Sequence, residues 1–144
     1  MPIKPILLAE DSPDDQTLIL RSLKKSHITN PIVIANDGVE ALDYLFATGI
    51  HANEKPIRPA VVLLDMKMPK LSGLDVLERI RKEQSTKHIP VVVLTSSDEE
   101  QDKLRSYDLG ANSYVRKPVD FKEFSEAVER LGLYWILLNE VPTD

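Results

Sequence analysis

Five short apolar runs punctuate the chain: Ile6 to Ala9, Ile32 to Ala35, Ala60 to Leu64, Val91 to Leu94 and Ser113 to Val115. Longer segments of helical period separate them, which is the alternation of βα repeats around a parallel sheet. After each run comes a capping side chain with an acid three residues later: Ser12/Asp15 with Pro13 at the first helical position, then Asp37/Glu40, Ser72/Asp75, Ser97/Glu100 and Asp120/Glu123. Such pairs satisfy the orphan N–H groups of a first helical turn, so five strands and five helices are predicted. Gly49 and Gly110 stand where the second and fourth helices should end, and Pro31 and Pro90 each precede a strand. The one long irregular connection runs from Ile50 to Pro59.

The third run, Ala60-Val61-Val62-Leu63-Leu64, has no polar face and stops on a carboxylate, Asp65. Apolar side chains on both faces mark a central strand covered by helices, and ligands of such sheets bind beyond the carboxyl ends of the strands. Other runs end in the same way. The first leads into Glu10-Asp11, the fourth into Thr95-Ser96 and the fifth into Arg116-Lys117-Pro118. An acid after a strand is by itself most often a helix cap; here three carboxylates, a hydroxyl and an ammonium converge on one rim.

Composition sets the surroundings of that rim. At 144 residues, 42% of them hydrophobic and 28% charged, the chain fits one globular domain that buries its own core. Without cysteine there is no disulfide framework and no thiolate chemistry. A net charge of -5 with no clustered Lys and Arg speaks against nucleic acid. The start, MPIKPILLAED, is neither a leader nor a membrane span, so a cytoplasmic protein is expected.

Acids brought together raise one another's pKa unless a cation neutralises them, and a set of carboxylates suits Mg²⁺. A metal so held draws in a phosphoryl group, whose remaining oxygens want a hydroxyl donor and a fixed positive charge. Thr95 and Lys117 are those groups. With Asp65 as the in-line nucleophile the product is an aspartyl phosphate.

From Ile6 to about Leu138 the sequence resembles the receiver domain of two-component response regulators. Glu10-Asp11 look like the acidic metal pair and Asp65 like the phospho-acceptor, followed by Met68-Pro69 and Gly73 in the pattern D-x-x-M-P-x-x-x-G. Thr95 matches the switch hydroxyl, Tyr114 the switch aromatic, and Lys117-Pro118 the Lys-Pro pair whose peptide bond is typically cis. The resemblance implies a flavodoxin-like α/β fold: a doubly wound five-stranded parallel sheet in the order 2-1-3-4-5 with five helices, the last extended. It also implies Mg²⁺ on Asp11, Asp65, the Lys67 carbonyl and, through water, Glu10. Asp65, Thr95 and Lys117 then act in transfer from a sensor histidine kinase, in a protein that catalyses only its own phosphorylation and dephosphorylation. The state would be read on the face of the fourth helix, fifth strand and fifth helix. Lys67 departs from the polar residues often found two positions past the acceptor.

Near the C-terminus, Phe121, Phe124, Val128, Leu131, Trp135 and Leu138 recur at the spacing of one helix face, and Leu133, Tyr134, Ile136 and Leu137 fill the others. A helix apolar nearly all round exceeds what one core covers, so a homodimer or partner interface through Phe124, Leu131, Tyr134, Trp135 and Leu138 is expected. With the long loop this makes the chain similar to stand-alone receivers of bacterial phytochrome-type histidine kinases. A single domain over 1–144 is expected, core about 5–138 and tail 139–144, with no output domain. A phosphatase of the haloacid-dehalogenase type is the alternative, although its D-x-D-x-T pattern after the first strand is missing. The three histidines, His27, His51 and His88, show no metal spacing and are read as surface or loop residues.

Overall fold

The computed structural model describes residues 4–55, 58–96, 110–111 and 113–130. Five parallel strands, β1 (Ile6–Ala9), β2 (Ile32–Ala35), β3 (Val61–Asp65), β4 (Val91–Thr95) and β5 (Ser113–Arg116), form one sheet in the order β2-β1-β3-β4-β5. This is the expected order. Both β3 and β4 carry their polar end residues, Asp65 and Thr95, into the ladder, which places those side chains by sheet register rather than by a loop.

Side-chain alternation divides the core in two. Ile6, Leu8, Leu63, Val92, Leu94 and Val115 pack with Ile19 and Leu23 of α1 (Pro13–Lys25) and with Phe124 and Ala127 of the helix Phe121–Arg130. Leu7, Ala9, Val62, Leu64, Val91 and Val93 face the opposite way, onto Leu45 of α2 (Gly38–Phe46) and Val76, Leu77 and Ile80 of α3 (Gly73–Lys82). Truncating a fully buried leucine such as Leu63 in such a layer costs about 2–5 kcal/mol.

Four of the five capping pairs hold. Ser12 accepts from the Asp15 N–H, Asp37 from Glu40 and Asp120 from Glu123, while Ser72 and Asp75 form a reciprocal box. The fifth pair, Ser97/Glu100, and the predicted fourth helix lie outside the described residues, as does the apolar stripe beyond Arg130. The second helix stops earlier than Gly49: Ala47, at φ 52°, caps it with an N–H to the Asp43 carbonyl. Asp43 decides this, because its carboxylate accepts the Thr48 hydroxyl at 2.8 Å and occupies the space where a side chain at Gly49 would stand. Gly49, itself at φ +55°, then opens a 3-10 turn, Gly49–His51.

At the amino ends of the strands Arg81 acts as a clip. Its guanidinium donates to the carbonyls of Lys87 (3.2 Å) and Ile89 (2.8 Å) and, from two nitrogens, to that of Gly110. At the other rim Gly73 allows α3 to start directly behind Asp65. Its N–H donates to the Met66 carbonyl at 2.9 Å, and a Cβ there would collide with the Asp65 carbonyl oxygen and lie 2.9 Å from Met66 Cα. These are backbone atoms in a packed turn, so they cannot yield as a side-chain tip does. Gly73→Ala is therefore expected to lower stability by about 1–3 kcal/mol, read as a drop in the denaturant midpoint at unchanged slope.

Candidate functional site

Sheet register brings the rim residues together. Ala9 pairs with Leu64 and Asp65 with Leu94, so Glu10 follows β1 beside Asp65 while Thr95 is the next residue of β4. Thr95 pairs with Arg116, and the N–H of the following residue, Lys117, donates to the Thr95 carbonyl at 2.7 Å. The Lys117-Pro118 peptide bond is cis, as the resemblance implied.

Glu10, Asp11 and Asp65 each offer a carboxylate oxygen within 4.8 Å of the others. Glu10 is fully buried and Asp65 is 5% exposed, whereas Asp11 faces solvent. The Lys117 ammonium stands 2.8 Å from Glu10 Oε1, 3.0 Å from Asp15 Oδ2 and 3.1 Å from Asp65 Oδ1. The approach to Glu10 Oε1 is an ion pair off the hydrogen-bond axis, which leaves that oxygen's lone pairs unspent. On the other oxygen Glu10 accepts the Ser12 N–H at 3.1 Å, and the Gln16 amide donates to its carbonyl at 2.6 Å.

Burial dominates the electrostatics. It pushes Glu10 up to about 7, against the lowering effect of Lys117 and the Ser12 N–H and with the help of Asp65's charge. Asp65 is likewise raised by burial, and Lys117 only partly offsets the shift. For Lys117 burial alone would lower the pKa, but Glu10, Asp15 and Asp65 outweigh it and raise it. One monovalent cation thus serves a nest of acids that it does not saturate. The donor set is all oxygen, two of the three acids are buried, and lone pairs remain unspent, so the residues fit a hard divalent ion such as Mg²⁺. Thr95 Oγ1 adds a second vacancy: it is buried and has no hydrogen-bond partner among the described residues.

Other expectations fare unevenly. Lys67 is exposed in the connection after β3. In that connection Lys70, at φ 70°, is spanned by a Leu71 N–H to Pro69 carbonyl bond of 2.8 Å and reaches Asp37 at 3.3 Å. Tyr114 is half-buried on β5 beside Val93, against the core layer of α2 and α3. Phe124 needs correction as an interface residue. It is 1% exposed, because its place on the helical stripe turns it into the core layer shared with α1 and one face of the sheet rather than outward. Leu131, Tyr134, Trp135 and Leu138 lie outside the described residues. His27 and His88 are exposed, and His51 is half-buried, paired with Glu54 at 2.6 Å and edge-on to Tyr44. Asp15 was legible only as the acid of a helix start; its role against Lys117 had no signal in the spacing.

Residues 6–129 match the response regulator receiver domain family. The response regulator Rcp1 of Synechocystis sp. is 38% identical over 141 residues, covering 98% of this chain and 95% of its own. The bacteriophytochrome response regulator AtBRR is 52% identical, with a TM-score of 0.89 over 97% of this chain and all of its own. The phosphorylated cyanobacterial phytochrome response regulator RcpA is 36% identical, with a TM-score of 0.72 over 97% of this chain and 99% of its own. A sheet wound in this order, an acid nest at its carboxyl rim and relatives matched over nearly their whole length lead to one conclusion: the chain belongs to the response regulator receiver family.

Proposed function

We propose that Asp65 is the phospho-acceptor of a two-component phosphorelay. The observation that carries this reading is the grouping on one rim of a buried acid, Asp65, with an ammonium and the buried Thr95 hydroxyl, which has no hydrogen-bond partner among the described residues. A carboxylate oxygen of Asp65 attacks phosphorus in line as the P–N bond to a phosphohistidine breaks, and the imidazole leaves with the electron pair. Asp11, Asp65 and the Lys67 carbonyl would hold Mg²⁺, with Glu10 acting through water, and the bound ion would neutralise charge on the transferred group. Lys117 pairs with one phosphoryl oxygen and the Thr95 hydroxyl donates to another, which spends the hydrogen bond it lacks. Water later cleaves the acyl phosphate, so the protein acts on itself and not as an enzyme with an outside substrate.

The Thr95 movement opens space for the Tyr114 ring, and the altered surface around β5 carries the signal to a protein partner. A sensor histidine kinase of the phytochrome type is the donor, in keeping with the kinship to AtBRR and RcpA. A homodimer through Leu131, Tyr134, Trp135 and Leu138, a cytoplasmic setting and the absence of nucleic-acid contact belong to the same reading. Among the described residues no helix is long and apolar enough to cross a membrane.

Incubation with acetyl phosphate and Mg²⁺ is expected to add one phosphoryl group by intact mass, and none to Asp65→Asn; modification of that variant at another residue would remove the assignment. A second expectation concerns pH. Glu10 holds a proton up to about pH 7 in the metal-free fold but only to its ordinary value near 4.5 when unfolded. Its contribution to stability is thus fullest at low pH and declines as pH rises from about 4.5 to about 7. Mg²⁺ must expel that proton, so metal affinity climbs by up to about tenfold per pH unit while Glu10 stays protonated and levels off above about pH 7. Glu10→Gln should flatten both trends in calorimetric titrations and in melting temperature against pH.

A further inference from the structure

Among the described residues, Asp15 is the one acid paired with Lys117 that stands outside the metal-binding group. The three carboxylates that approach one another within 4.8 Å are Glu10, Asp11 and Asp65, whereas Lys117 touches Glu10, Asp65 and Asp15. Two of the ammonium's three partners are therefore the metal's own ligands. A divalent ion entering the nest takes those carboxylates and repels the ammonium, and a charge 16% exposed is costly to leave unpaired.

We propose that Asp15 is a positioning residue that holds Lys117 clear of the metal's carboxylates, so that one side chain on the first turn of α1 sets how readily the site loads. This rests on the reading of the rim as a Mg²⁺ site. The geometry suits the task. Asp15 is fixed by position, with its N–H capped by Ser12 Oγ at 3.3 Å and Pro13 opening the helix. Its side chain is 30% exposed, against none for Glu10 and 7% for Asp65, so its charge survives without a counter-ion more cheaply than theirs. The ammonium is a compact charge within 3.1 Å of all three acids, and after metal entry the contact with Asp15 is the one it keeps. Without Asp15 the ammonium is left, among the described residues, with Glu10 and Asp65 to pair with, and it competes directly with the ion.

The test is a double-mutant cycle on Mg²⁺ affinity, measured by calorimetric titration of the unphosphorylated full chain. Asp15→Asn is expected to weaken binding about fivefold or more in the parent and to have little effect in a Lys117→Met background, where no ammonium competes. Asp15→Glu, which keeps the carboxylate, should restore parental affinity. An equal loss with and without Lys117 would mean that Asp15 acts only through its net charge, and the proposal fails; it fails also if Asp15→Asn binds as the parent does, or if Asp15→Glu gives no rescue, a result that does not depend on Lys117→Met folding. A parent chain that binds no Mg²⁺ overturns the reading of the site itself, and the proposal with it.

Discussion

One half-buried ammonium shared among more carboxylates than it can neutralise is the interaction on which the structure of the rim depends. Lys117 ties together the end of β1 through Glu10, the start of α1 through Asp15 and the end of β3 through Asp65. Low dielectric strengthens each attraction and also raises the cost of every acid left over. The fold tolerates this because everything beneath is apolar and close-packed. Ala9, Leu64 and Leu94, the residues just below the acids and the hydroxyl, are all fully buried. The rim is thus a layer of unspent charge on a rigid base, arranged to be completed by something that arrives.

What arrives is constrained by two separate shortages. The acids lack positive charge, which a hard cation supplies, and Thr95 lacks an acceptor among the described residues, which a phosphoryl oxygen supplies. Neither shortage alone would single out the chemistry. Buried acids near a lysine occur in structural networks, and a lone unsatisfied hydroxyl is a local imperfection. Their meeting around Asp65 makes metal-dependent phosphoryl acceptance the reading that satisfies every group at once.

Much of this was legible in the sequence, for identifiable reasons. Five apolar runs and the capping pairs gave the βα alternation, because period and cap chemistry are local properties. The strand Val61–Asp65 was recognisable as central from its lack of a polar face, and its terminal acid drew attention to the rim. Less visible were features decided by contacts across the fold. Ala47 ends α2 because Asp43 and Thr48 bond each other, a preference that outweighed the glycine signal at Gly49. Phe124 shared a stripe with residues of the C-terminal end, and only the packing of its own helix against β5 and α1 shows it turned inward. Asp15 satisfied a helix start so well that its position gave no reason to look for a lysine over a hundred residues away.

The clip made by Arg81 follows an opposite logic at the other end of the sheet. There a cation is held by the dipoles of neutral carbonyls, those of Lys87, Ile89 and Gly110. Protons distinguish these contacts: a carboxylate beside Lys117 can take one up and lose its charge, whereas the carbonyls that hold Arg81 cannot. Acidity therefore retunes the rim while those carbonyl contacts stay as they are, which separates the responsive end of the sheet from its foundation.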